Sequence, residues 1–284
     1  MGALEELLLG VSVNHRYVTI DGLRIHYAEA GTGPPVVLLH GWPQNWWEWR
    51  LVIPILAQHF RVICPDIRGL GWSEGAPDAR YSLDQLARDI IGLLDALQLE
   101  RASLVGHDWG LLAGYRACLN WPERFHRFVA LAGVHPWIRD GATWRSIAAP
   151  WHIFVLAWLG KSARVQRRIA VRSLGAWRQS GEFSASEREV FLNGLSWYAT
   201  ASFYRNLVTR ELPGFARHYR LMRLRVPTLH LNGAHDPLTL GMPLRFGDYA
   251  DDMRFETVPG SGHFIAEEQP RFLSDRLIQF LGGN

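Results

Sequence analysis

A chain of 284 residues, 48% hydrophobic and 20% charged, has enough apolar material for one large globular domain, or for a core carrying an insertion. Its formal net charge of +3 does not call for a strongly basic surface, so nucleic acid is not an expected partner. The longest apolar stretch, 147–160, is broken by Pro150 and His152 and is too short for a membrane span.

The chain opens with Glu5 and Glu6 and has no basic start before a long apolar run, so no secretory signal is expected. Strand patterns at 17–20 and 24–29 flank Asp21-Gly22, a two-residue hairpin signal. Further apolar strand runs fall at 36–40, 61–65, 102–105 and 127–131. Between them Leu83, Leu86, Ile90, Leu93, Leu94 and Leu97 recur at helical spacing behind Ser82, a natural N-cap. From about His135 to Phe215 the strand pattern stops and helical patterning takes over. Arg164, Arg167, Arg168 and Arg172 fall on one helical stripe there, with Val165, Ile169 and Val171 between them, and read as a solvated face. Strand patterns return at 227–231 and 254–258, and a helix over 269–281 ends the chain. Strand–helix alternation predicts an α/β fold with a mainly parallel sheet flanked by helices. The expected division is a core at 1–134 and 216–284 with a helical cap inserted at 135–215. Cys64 and Cys118 lie in apolar strand-like and helix-like contexts, so two reduced thiols and a reducing, cytoplasmic location are expected.

Ligands of open α/β sheets bind beyond the carboxyl ends of the strands. Four segments with chemistry fall there: His40-Gly41-Trp42-Pro43, Gly106-His107-Asp108-Trp109-Gly110, Asn232-Gly233-Ala234-His235-Asp236, and Gly260-Ser261-Gly262-His263-Phe264. The second joins a strand to a helix through small residues, the pattern of a strained turn that pushes its middle side chain into a pocket. That middle side chain is Asp108, so nucleophile, acid (Asp236) and base (His263) follow in chain order. Gly71-Trp72-Ser73-Glu74-Gly75 has the letters of a serine nucleophile turn, but a loop precedes it and no helix follows, so it reads as structural. His40 and His107 are likewise read as structural.

These segments, with Asp66-Ile67-Arg68-Gly69 and Gly71-Trp72-Ser73, make the chain resemble the α/β-hydrolase fold over nearly its whole length. More narrowly it resembles the aspartate-nucleophile branch, the epoxide hydrolases and the haloalkane and haloacetate dehalogenases. The resemblance implies that Asp108 attacks carbon to form an alkyl ester, that His263 oriented by Asp236 activates the water that hydrolyses it, and that the backbone N–H groups of Trp42 and Trp109 form the oxyanion hole. Ser202-Phe203-Tyr204-Arg205-Asn206 resembles the cap segment of epoxide hydrolases that carries a ring-opening Tyr, here Tyr204. The usual second cap Tyr is missing. Pro150-Trp151-His152-Ile153-Phe154 resembles a subgroup in which a His takes that place, here His152.

Residues 109–112 lack the Arg clamp of haloacid dehalogenases, and Trp42 stands where many haloalkane dehalogenases have Asn. The expectation is therefore a cofactor-independent epoxide hydrolase giving a vicinal diol. A haloalkane dehalogenase with the same triad and a noncatalytic ligand-binding homologue are the alternatives. Trp42, Trp109, Trp151, Phe154, Trp158, Phe203 and Phe264 are the expected pocket walls, for a small apolar aryl or alkyl epoxide. No metal-ligand spacing or phosphate loop is present, so neither metal nor cofactor is expected. The sequence allows a homodimer without fixing the oligomeric state.

Overall fold

The computed structural model describes residues 11–137, 151–159, 162–213, 218–239 and 249–283. Its strands are β1 (Asn14–Ile20), β2 (Leu23–Ala30), β3 (Pro35–Leu39), β4 (Arg61–Pro65), β5 (Ala102–His107), β6 (Phe125–Leu131), β7 (Thr228–Gly233) and β8 (Met253–Val258). They form one sheet in the order β1-β2-β4-β3-β5-β6-β7-β8. The β1–β2 hairpin turns at Asp21-Gly22 as expected, and β2 pairs antiparallel with β4; every later pairing in the sheet is parallel.

The described helices are α1 (Ile53–Leu56), α2 (Leu83–Ala96), α3 (Trp109–Asn120), α4 (Trp151–Leu159), α5 (Ala163–Ala176), α6 (Ala185–Asn193), α7 (Trp197–Asn206), α8 (Ile265–Glu268) and α9 (Pro270–Leu281). Ser82 caps α2 by accepting the Gln85 N–H at 3.2 Å, and the predicted apolar face is the buried one. None of the described helices is long and apolar enough to cross a membrane.

The pleat sorts the core. Val37 and Leu39 of β3 join Leu104, Phe128 and the buried face of α2 on one side. Val36 and Leu38 join Val105, Val129 and α9 on the other. Each central strand is thus covered on both faces, which explains continuous apolar runs where a one-sided sheet would alternate.

The helices α4–α7 lie between β6 and β7 in the chain. On α5, Arg164, Arg167, Arg168 and Arg172 are exposed as expected, but so is Val171, at 41%. The buried stripe of α5 is Gln166, Ile169, Ala170, Ser173 and Leu174. The predicted Gly71–Gly75 decoy is a loop. Ser73 accepts the His26 N–H at 2.9 Å and donates to the Asp66 carbonyl at 2.8 Å, so its hydroxyl is committed to holding the turn.

Candidate active site

β5 runs through Gly106 and His107, and α3 begins at Trp109. Asp108 alone makes the turn, at φ 51° and ψ −111°. Such a backbone costs a non-glycine residue about 1–3 kcal/mol and persists only where its surroundings fix it. The neighbouring glycines are what allow it. A Cβ on Gly106 would sit 2.3 Å from the Gly110 carbonyl oxygen, and one on Gly110 would sit 2.4 Å from that of Leu39. A Cβ on Gly41 would sit 2.4 Å from Cβ of Asp108, so the β3 loop lies directly against the Asp108 side chain.

That loop supplies a donor. The Trp42 N–H donates to Oδ1 of Asp108 at 2.9 Å. His40 holds the loop in place: its Nε2 accepts the Ile67 N–H at 2.9 Å, which leaves Nδ1 to carry the proton and donate to the Gly41 carbonyl, also at 2.9 Å. His107 donates from Nε2 to the His263 carbonyl at 3.0 Å and so ties the β5 turn to the loop after β8. These contacts agree with the expectation that both histidines are structural.

His263 is fully buried. Its Nδ1 lies 3.2 Å from each Asp236 oxygen, and its Nε2 lies 3.7 Å from Oδ2 of Asp108. The second distance is too long for a hydrogen bond, and Nε2 has no hydrogen-bond partner among the described residues. Asp236 is itself held by the Leu238 N–H at 2.9 Å. Burial pushes the imidazole down, but Asp236 and Asp108 on either side of it outweigh that and raise its pKa to about 10. Burial also works against ionised Asp108; the nearby His263 and His107 and the Trp42 N–H nevertheless hold its carboxyl below the usual range. Asp108 is therefore a carboxylate at neutral pH.

Tyr204 and His152 come to the same place from α7 and α4. Ser196 caps α7, and Thr200 accepts the Trp42 indole N–H at 3.3 Å, which docks the helix on the β3 loop. The Tyr204 ring meets Trp42 and Trp109 edge-on, with centroids 5.6 and 5.4 Å apart. Burial, with the Asp108 charge adding, pushes its hydroxyl well above the ordinary phenol range, so it stays protonated. His152 packs on Trp177 at 4.9 Å and faces Tyr204 at 6.3 Å. Burial lowers its pKa to about 4, so at neutral pH it is an uncharged imidazole.

Asp108, Trp109, His152 and Tyr204 all line one cavity of about 100 Å³. Its other walls among the described residues are Leu111, Leu112, Ala132, Gly133, Val134, Ile153, Trp177, Leu207, Leu212 and Leu238. Several expected wall residues are elsewhere. Phe154 and Trp158 stack on each other at the outer surface of α4, 43% and 49% exposed. Helix α4 is apolar nearly all round, so its sequence could not show which face turns inward. Phe203 is buried between Tyr81 and Trp109, and Phe264 packs against His263, His107 and Trp177; neither lines the cavity. The Trp42 ring is 1% exposed and also lies outside the lining. The Trp151 side chain lies outside the described residues.

Among the described residues the walls are thus largely aliphatic where aromatic ones were expected. Leu111 and Leu112 could have been foreseen, because they lie in the first turn of α3, directly behind the Asp108 turn. Trp177, just past the end of α5, carried no local signal. No group of three or more His, Cys, Asp or Glu suited to a metal occurs among the described residues.

The α/β hydrolase fold family matches residues 34–270. The soluble epoxide hydrolase of Corynebacterium sp. strain C12 is 29% identical over 96% of this chain and 98% of its own. A shorter match, 42% identical over 123 residues, is to bifunctional epoxide hydrolase 2 of Sus scrofa, of which it spans 22%. The crystal structure of epoxide hydrolase A from Mycobacterium thermoresistibile superposes with a TM-score of 0.82 at 26% identity, covering 96% of this chain and 99% of that one.

Proposed function

Because the chain belongs to the α/β-hydrolase fold family, we propose that it is an epoxide hydrolase in which Asp108 is the nucleophile and residues 135–215 form a cap carrying the ring-opening donors. The observation that carries this reading is one apolar cavity lined by an ionised carboxylate on a strained turn, a protonated buried Tyr and a neutral His. Full-length similarity to a named epoxide hydrolase supports it.

In the first step an Asp108 oxygen bonds to an epoxide carbon as the ring C–O bond breaks. The released oxygen takes the Tyr204 proton, because an alkoxide is a far stronger base than a phenolate. His152, being neutral, donates a hydrogen bond to that oxygen and gives up no proton. In the second step water adds to the ester carbonyl of Asp108 and His263 accepts its proton. The Trp42 and Trp109 N–H groups stabilise the tetrahedral oxyanion. Its collapse releases the diol, whose second oxygen takes the proton from His263. The proton left on the Asp108 carboxyl returns to the Tyr204 phenolate, and the net reaction is epoxide plus water to diol.

Electrostatics orders the two steps. Between two carboxylates, His263 is an imidazolium in the free enzyme and cannot serve as a base. Alkylation converts the Asp108 carboxylate to a neutral ester and removes one of the charges that hold the proton on. His263 can then release that proton to solvent and become the base when its substrate, the ester, exists; it takes a proton back from solvent once the diol is released and Asp108 is again a carboxylate. The aliphatic walls favour an alkyl epoxide.

The test is intact-mass analysis of a His263→Gln variant exposed to 1,2-epoxyhexane or, separately, to 1-chlorohexane. An adduct of the whole epoxide on Asp108 is the expected result. An alkyl adduct formed only from the chloride would make the enzyme a dehalogenase, and no adduct from either would overturn covalent catalysis by Asp108.

A further inference from the structure

We propose that Glu268 is a positioning residue for ester hydrolysis: one carboxylate that clasps the loop bearing His263 to the segment that follows α5. This inference rests on the alkyl-ester reading above. Oε1 of Glu268 accepts the Gly262 N–H at 3.1 Å, immediately before the base. Oε2 accepts the Gln179 N–H at 2.7 Å and the Ser180 N–H at 3.0 Å. A further bond closes the clasp, since the His263 N–H donates to the Trp177 carbonyl at 2.8 Å. The fit leaves no slack: a Cβ on Gly262 would sit 2.4 Å from that carbonyl oxygen and 2.9 Å from the Gln179 nitrogen.

The groups on either side of the clasp belong to the site. The Trp177 ring lines the cavity, meets His263 at 5.3 Å and supports His152 at 4.9 Å. Asp108 and Trp42, by contrast, are held by β5, α3 and the β3 loop, and the Glu268 carboxylate bonds to other groups. Three backbone donors converge on a charged acceptor, the stronger kind of hydrogen bond. The clasp therefore bears directly on the base, which acts only in the second step, and reaches Asp108 indirectly, through the bond from His107 to the His263 carbonyl. A misplacement of about 1 Å at a reacting group can cost roughly 100-fold.

The experiment is single-turnover kinetics of Glu268→Gln with 1,2-epoxyhexane, following ester formation and decay by rapid-quench mass analysis. Glu268→Asp, which keeps the charge and draws the oxygens back by one methylene, runs in parallel, with His263→Gln as the trapping control. Formation of the ester is expected to stay within about twofold of the unmodified enzyme while its decay slows roughly 10- to 100-fold, so that the ester accumulates and kcat and KM fall together. Glu268→Asp should show the same split at smaller size and serves if Glu268→Gln fails to fold. Equal slowing of both steps, or no change in either, overturns the positioning role while the ester itself still forms. Absence of an adduct in His263→Gln overturns the ester reading, and the positioning role with it.

Discussion

Replacing Asp108 with Asn reproduces the electrostatic effect of the proposed alkylation without substrate, and should lower the pKa of His263. In the unmodified protein the imidazole is held at about 10, with its Nε2 3.7 Å from the Asp108 carboxylate. One unit charge at that distance is worth about 1 kcal/mol at the dielectric constant of water and about 4.5 kcal/mol at an effective value of 20. At 1.36 kcal/mol per pH unit, its removal should lower the midpoint by roughly one to three units. The sign follows from the charge: a carboxylate stabilises the imidazolium, so losing it makes the proton easier to remove. The assay is a pH titration of the His263 ring nitrogens by NMR in both proteins, over about pH 5 to 11. The Asn variant should titrate between about 7 and 9. The pH profile of ester decay in the active enzyme should then follow the lower midpoint. Coincident titrations would show that Asp108 contributes nothing to the proton affinity of His263, and the proposed ordering of the two steps would fail.

Tyr204→Phe removes the proposed proton donor but keeps the ring that packs against Trp42 and Trp109. Ester formation from an alkyl epoxide should slow by roughly 100- to 1,000-fold, the range for losing one donor to a developing oxyanion, with little change in thermal midpoint; undiminished formation in stopped-flow assays would remove Tyr204 from the chemistry. Ser73→Ala should leave kcat and KM unchanged, because that serine belongs to a loop and not to a nucleophile turn. It should cost about 1 kcal/mol in urea denaturation for the two hydrogen bonds made by the hydroxyl, and lost turnover at unchanged stability would contradict that assignment.

The elements legible from the sequence are those specified by local pattern. Leu83 to Leu94 repeat with a helical period behind a capping Ser82, and the buried face of α2 follows. The Asp21-Gly22 turn forces a hairpin, and β5 followed by small residues forces the Asp108 turn. Asp108, Asp236 and His263, the proposed nucleophile, acid and base, follow three strand ends because a parallel sheet leaves its connections at that edge. Their chemical identity, and hence the contrast between Asp and Ser, is a property of the sequence alone.

Which side chains face the cavity was decided by tertiary structure. Phe154 and His152 are two residues apart on α4, equally compatible with either face, and only the packing of α4 against α7 and Trp177 turned one outward and the other in. The charge states were decided in the same way. An isolated histidine titrates near 6.5, yet His152 falls to about 4 and His263 rises to about 10 in the same pocket. Burial acts against the charge on both; only His263 is flanked by two carboxylates, one from the loop after β7 and one from the turn after β5, far apart in the chain. Sequence determines which groups are present and the local turns that carry them. Proton affinity depends on the distance between charges and on exclusion of water, and neither exists until the strands have assembled.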